Sequence, residues 1–172
     1  VSAPDDGHLQ SIRKRFGVSV TTDNRYCAQQ ADIVVLAVKP QVMGDVCRDI
    51  APVVQNTRPL MVSIAAGLTA DTLDTWLGGG LPLVRVMPNT PSLVGKGAAG
   101  LFANSQVKDD QRNAVQKVFE SIGSALWVDD ENLLHSVTAL SGSGPAYFFL
   151  MLEALESAAT EAGIESETAR AL

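Results

Sequence analysis

The 172-residue sequence has only two cysteines and two histidines. Cys27 and Cys47 form no Cys-x-x-Cys pair, and neither His8 nor His135 accompanies them at metal-ligand spacing. A disulfide framework and a zinc site are therefore both unexpected, no metal ligands are assigned, and each histidine reads as a surface residue. Two unmatched thiols fit a reducing, cytoplasmic setting. No apolar run approaches the roughly 18 to 20 residues that a membrane-crossing helix needs. Basic residues are outnumbered, 13 Lys and Arg against 19 Asp and Glu, giving a net charge of −6. With a pI near 4.8, nucleic acid is not expected as the main partner. The one basic cluster, Arg13-Lys14-Arg15, reads as a solvated helix face. No signal peptide is expected; the sequence opens Val1-Ser2-Ala3-Pro4 without an initiator Met, and Thr168 to Leu172 fall inside an uncapped helical pattern. The chain is thus expected to be a piece of a longer protein, truncated at both ends.

What is present is an ordinary globular composition, 46% apolar and 19% charged, enough to build a sizeable core. The chain is organised around Ala31 to Pro40, where Ile33 to Ala37 form a continuous apolar run rich in β-branched residues. Such a run predicts a strand buried on both faces of a parallel sheet. Pro40 ends it, because it cannot donate to a ladder and steers Lys39 away from helical geometry. Ligands of open parallel sheets sit beyond the carboxyl ends of the strands, so Ala37-Val38-Lys39-Pro40 falls where a cofactor would lie. The plainer alternative is a core strand followed by a solvated lysine.

Around this strand the pattern alternates. Val1 to Pro4 read as a strand end; Asp5 and Asp6 open a helix carrying Leu9, Ile12 and Phe16, which Gly17 ends in left-handed geometry. Val18-Ser19-Val20 predicts a short strand, and Thr21 to Asn24 cap a short helix to about Gln30. After Pro40, Val42, Met43, Val46, Cys47 and Ile50 predict a helix closed by Pro52. Leu60 to Ile64 and Leu83 to Met87 predict further buried strands. The first runs into Ala65-Ala66-Gly67, small enough for close approach of a ligand, and the second into Pro88-Asn89-Thr90-Pro91. A helix from Thr69 to the Gly78-Gly79-Gly80 breaker separates them. This alternation implies a doubly wound, mainly parallel sheet.

Gly95-Lys96-Gly97-Ala98-Ala99-Gly100 has the spacing of a dinucleotide fingerprint but not its setting, a strand before and a helix after. A turn into a strand from Ala98 to Ala103 is the better reading. Lys108 to Ile122 predict an amphipathic helix with Val107, Val115, Val118, Phe119 and Ile122 facing inward. Ala125 to Val128 predict a last strand, and Asp129-Asp130-Glu131 open a helix to about Leu140. The loop Ser141-Gly142-Ser143-Gly144-Pro145 then leads into Ala146 to Gly163, a helix apolar nearly all round and so expected to meet a second subunit. A domain boundary is placed there, with residues 1–140 a nucleotide-binding unit and residues 141–172 the start of a helical one. The helix start after Pro145 is either an anion site or simply a capped end.

Four stretches in order, Ala37 to Pro40, Ser63-Ile64-Ala65-Ala66-Gly67, Met87 to Pro91 and Ser141 to Tyr147, strongly resemble pyrroline-5-carboxylate reductase. The resemblance covers the whole chain. It implies a Rossmann-like α/β domain followed by the start of an all-α dimerisation domain that interlocks with a partner subunit. The implied activity is that of an oxidoreductase of proline biosynthesis, passing hydride from NADPH, with NADH as the alternative, to the ring imine of 1-pyrroline-5-carboxylate. It implies a cytoplasmic homodimer or multiple of dimers, with no nucleic-acid or membrane partner. The cofactor contacts that it implies are Ser2 and Ala3 at the 2′-phosphate turn, Asn24 at the adenosine ribose, and Ala37, Val38, Lys39 and Pro40 along the diphosphate. Ile64, Ala65 and Ala66 fall near the nicotinamide ribose, and Asn89 and Thr90 along the nicotinamide pocket.

Two departures accompany the resemblance. The family's glycine-fingerprint strand has no counterpart before Val1, and its downstream Thr-bearing segment, which holds the substrate, has none after Leu172. No catalytic residue is therefore assigned. The alternatives are another NADP-dependent dehydrogenase of β-hydroxyacid type, or a dinucleotide sensor without turnover. The first would carry a catalytic lysine on the helix after the nucleotide-binding domain, and Ala146 to Thr168 contain no lysine. Asn24 has two candidate tasks, capping the helix that follows it or binding the ribose.

Overall fold

Short, largely apolar runs bounded by turn residues give five strands, each four to seven residues long. A computed structural model describes residues 1–172. Its sheet runs β1 (Ile33–Leu36), β2 (Leu60–Ser63), β3 (Leu83–Met87), β4 (Gly97–Ala103) and β5 (Gly123–Trp127) in that spatial order. The pairs β1–β2, β2–β3 and β4–β5 are parallel, and β3–β4 is antiparallel. Parallel neighbours need crossovers, which are supplied by the helices α3 (Pro40–Thr57), α4 (Ala70–Trp76) and α5 (Asp109–Glu120). The remaining helices are α1 (Asp6–Phe16), α2 (Asn24–Gln29), α6 (Leu133–Val137), α7 (Gly144–Glu161) and α8 (Ser166–Ala171).

Alternate strand residues enter two cores, one on each face of the sheet. On one face Met61 and Leu83 pack against Met43, Cys47, Ile50 and Val54 of α3 and Leu73 of α4. On the other, Val62, Val84, Val86 and Leu101 pack against Val115 and Phe119 of α5. All four residues of β2 and the first four of β3 are buried, so both strands are covered on both faces. Each fully buried aliphatic side chain contributes about 1.5–3 kcal/mol, and this double burial fixes the register of the three parallel strands.

The mainly parallel α/β sheet followed by helices matches the sequence expectation, and several local expectations do not hold. The organising strand is Ile33–Leu36 and stands at the sheet edge, with Val35 49% exposed. Its outer side has no strand partner. Beyond it the expected strands at Val1–Pro4 and Val18–Val20 shrink to one parallel bridge, Ser2 to Thr21. Between bridge and edge lies an apolar slot of about 420 Å³.

Pro52 does not close α3, which continues to Thr57 and ends at Arg58 in left-handed geometry. The proline is tolerated because Ile50 and Val54 on either side of it are anchored in the core. Val118 is 51% exposed, leaving Val115 and Phe119 as the inward face of α5. The glycine-rich stretch after Leu140 is not an open loop. A π-helical turn, Thr138–Gly142, carries α6 almost directly into α7, and Ser143 N–H donates to Thr138 O at 2.8 Å. The chain's small residues there permit close packing, since a Cβ on Gly142 would lie 3.1 Å from Met87 Cε. Along α7 no residue is buried, and Tyr147, Phe148, Leu150 and Leu155 are each more than half exposed.

Candidate functional site

Because β1, β2 and β3 are mutually parallel, their carboxyl ends open on one edge of the sheet. Three loops leave from that edge and carry most of the residues singled out from the sequence. After β1, Ala37 is exposed and Val38 half-buried. Lys39 precedes α3 without any side-chain hydrogen bond to it, and Pro40 occupies the first turn. The opening N–H groups of this 18-residue helix are thus uncapped by its own side chain and suit an anion.

After β2, Ile64 N–H donates to Leu36 O at 3.2 Å, which ties this loop to the end of β1. Ala65 is buried, and its N–H meets Ser63 Oγ at 3.3 Å. Ala66 and Gly67 are exposed. Gly67 has φ +77°, and a Cβ placed on it would meet nothing within 4 Å, so the space beside this loop is open to a ligand.

Ser2 and Asn24 face the outer side of β1, as do Ala37 and Val38 at its carboxyl end. Ala3 N–H donates to Thr21 O at 3.3 Å, holding that turn beside the slot. Asp23 caps α2, its Oδ1 accepting from Tyr26 N–H at 3.0 Å. Of the two tasks open to Asn24, capping is therefore already performed by its neighbour.

Asn89 reaches the same edge but with its amide committed. Its Nδ2 donates to Ser141 O at 3.0 Å and its Oδ1 accepts from Ala98 N–H at 2.9 Å. It clamps the π turn to the start of β4, while Thr90 opens an exposed 3-10 turn, Thr90–Val94. The anion site considered before Pro145 has no comparable opening, because the backbone there runs on from the π turn.

Sequence reasoning passed over Arg85 and Glu131. Arg85 lies in the middle of β3, 7% exposed, and its Nη1 donates to Glu131 Oε1 at 2.7 Å. The same oxygen accepts from Ala70 N–H, the first residue of α4, at 2.6 Å. The signal was legible: an arginine inside Leu83-Val84-Arg85-Val86-Met87 is a charge in a buried run and demands a partner.

Other chemistry is sparse. Burial pushes the Cys47 thiol up to about 11, against the opposing pull of Arg48, so it remains a neutral core group. Nowhere do three or more His, Cys, Asp or Glu side chains gather so that they could hold a metal ion. A larger, polar cavity of about 670 Å³ sits at the opposite edge, beside Gln29, Asp32, Arg58 and Asp110. It lies at the amino ends of β1 and β2, away from the small-residue loops. The carboxyl edge offers backbone donors, small apolar residues and one free lysine, a set that fits an extended phosphate-bearing dinucleotide.

Comparison with known proteins agrees with this geometry. Residues 131–172 match a family model described as pyrroline-5-carboxylate reductase dimerisation. Residues 1–67 match one described as NADP oxidoreductase coenzyme F420-dependent. The chain is 45% identical over 174 aligned positions to pyrroline-5-carboxylate reductase of Pseudomonas aeruginosa, covering 100% of this chain and 63% of that protein. It superposes on a pyrroline-5-carboxylate reductase from Coxiella burnetii with TM-score 0.94 and 43% identity, over 99% of this chain and 63% of the other. The Plasmodium falciparum pyrroline carboxylate reductase, solved with NADP bound, gives TM-score 0.86 and 32% identity, over 98% and 61%. The chain thus spans somewhat under two thirds of the length of the relatives it matches. With sequence motifs, sheet order and both comparisons in agreement along its whole length, this chain belongs to the pyrroline-5-carboxylate reductase family.

Proposed function

We propose that the protein containing this chain reduces 1-pyrroline-5-carboxylate to L-proline with NADPH. The observation that carries this reading is the convergence of Ala37 to Pro40, Ile64 to Gly67 and Asn89 on one sheet edge, in a chain of this family. When bound, the reduced nicotinamide would supply the hydride. The chain's own residues bind and orient. Lys39 and the first turn of α3 would meet the diphosphate, and Ile64, Ala65 and Ala66 the nicotinamide ribose. Asn89 shapes the far wall of the pocket through its clamp on Ser141, with Thr90 beside it. A protonated imine is already electrophilic, so little acid–base equipment is needed, and positioning with exclusion of water dominates.

Ser2, Ala3 and Pro4 include no acid, and Asp5, the next residue, is engaged as the N-cap of α1, its Oδ1 accepting from His8 N–H at 2.6 Å. An acid in that turn would favour the free ribose 2′-hydroxyl of NADH. Its lack, with Ser2 as a donor, favours the 2′-phosphate of NADPH, and the NADP-bound relative supports this. We place the unit boundary at residues 140 and 141, and we place the protein in the cytoplasm, where the thiols of Cys27 and Cys47 stay free. The uncovered apolar surface of α7 leads us to a homodimer or a multiple of dimers.

Three outcomes are expected. The full-length protein consumes NADPH in the presence of 1-pyrroline-5-carboxylate, with higher kcat/KM than with NADH. No substrate-dependent loss of reduced-cofactor absorbance would leave the sensor reading in its place. Light scattering of the full-length protein at micromolar concentration gives a dimer or larger; a monomer contradicts the role of α7. Asn24→Ala weakens NADPH binding roughly three- to thirtyfold with the cofactor-free melting temperature unchanged. By contrast Asp23→Ala removes the cap of α2 and lowers stability by about 0.5–2 kcal/mol. An Asn24→Ala protein that melts earlier but binds NADPH normally removes Asn24 from the site.

A further inference from the structure

Glu131 is the first residue of the segment that matches the dimerisation family, yet its carboxylate is spent on the sheet domain. One oxygen, Oε1, receives both Arg85 Nη1 at 2.7 Å and Ala70 N–H at 2.6 Å. Ala70 is 4% exposed and opens α4, so its N–H has no partner within the helix. Thr69 Oγ1 accepts from Thr72 N–H at 3.2 Å, leaving Ala70 to Glu131.

The consequence lies upstream of α4. The loop from Ile64 to Thr69 is held at its start by Ile64 N–H on Leu36 O and Ala65 N–H on Ser63 Oγ. It is held at its end by Ala70 N–H on Glu131. Between these pins Ala66 and Gly67 are exposed, with open space beside Gly67. Without Glu131 the downstream pin is lost, and the exposed backbone can drift relative to β1 and β2.

The ion pair is poorly built for stability alone. Arg85 Nε is buried without a hydrogen-bond partner, and a buried pair of this kind can often be replaced by apolar groups without loss. Its distinguishing product is geometric: a charge-balanced acceptor placed at one buried backbone N–H. We propose that Glu131, neutralised by Arg85, is a positioning residue that sets the Ile64–Thr69 loop against the nicotinamide half of the cofactor. α6, which follows directly after Glu131, is seated independently. Gly100 lies so close to Val137 that an added Cβ would fall 2.7 Å from its Cγ1, and Asn89 fixes Ser141 at the far end. The first residue of the segment that matches the dimerisation family therefore bears directly on the cofactor loop.

This inference rests on the proposed reading of the carboxyl edge as an NADPH site, and binding measurements separate the two. In the full-length protein, titration calorimetry is run with NADPH and with adenosine 2′,5′-bisphosphate, which contains the adenosine half alone. Glu131→Ala is expected to weaken NADPH about tenfold and leave the adenosine fragment unchanged. Glu131→Gln, which keeps a carbonyl acceptor for Ala70, is expected to stay within about twofold of the parent. Because Glu131→Ala strands a buried guanidinium, the Arg85→Met/Glu131→Met double variant guards against a folding artefact and is expected to show the same selective loss. Unchanged NADPH affinity in the folded double variant, or equal losses for NADPH and the fragment, overturns the positioning role. A parent protein that binds no NADPH overturns both this inference and the reading beneath it, whereas one that binds NADPH but ignores the imine leaves the positioning role standing.

Discussion

The double burial of β2 is the constraint on which the rest depends. With Leu60 and Val62 in one core and Met61 in the other, this strand can slip neither in register nor in direction without exposing apolar surface. Its parallel pairing with β1 and β3 then forces three carboxyl ends onto the same edge. The site is a consequence of that edge. No single loop defines it; the crossover helices bring small residues and helix-start N–H groups to a common place.

Polar groups at this edge serve mainly to fix backbone. Asn89 spends both ends of its amide on Ser141 and Ala98, and Glu131 spends one oxygen on Arg85 and Ala70. Ser63 Oγ accepts from Ala65. Such a division suits the proposed reaction, whose electrophile is already activated and in which the protein would contribute orientation. It also makes α6 and the π turn part of the site's frame, since Val137 sits against Gly100 and Gly142 against Met87. The helices that follow are thus structurally continuous with the carboxyl edge of the sheet.

Most of the sheet was legible in the sequence because short apolar runs bounded by turn residues have few other uses at that length. Leu60–Ser63, Leu83–Met87 and Gly97–Ala103 stand where their patterns place them. The rejection of Gly95 to Gly100 as a fingerprint also follows the fold, because β4 begins at Gly97 and no helix opens there. Less legible were features set by tertiary context. Pro52 reads as a helix end locally, but the buried residues flanking it carry α3 through. Ser141 to Pro145 read as a loop from composition, but close packing on Met87 uses those small residues within a helical path. Asn89 reads as a ligand residue by resemblance, and only geometry reveals its amide as a clamp. Arg85 and Glu131 are 46 positions apart, and periodicity carries no information on that pairing.

On the proposed reading the dinucleotide lies across the carboxyl ends of β1, β2 and β3. Amide hydrogen exchange of the full-length protein, with and without saturating NADPH, tests it most directly. Slowed exchange is expected at Ala37, Val38, Lys39 and Gln41 and at Ala65 to Gly67, with no change at Gln29 to Asp32 or at Thr57 and Arg58. Protection confined to those residues at the amino ends of the strands, with the carboxyl-edge loops unaffected, would contradict it.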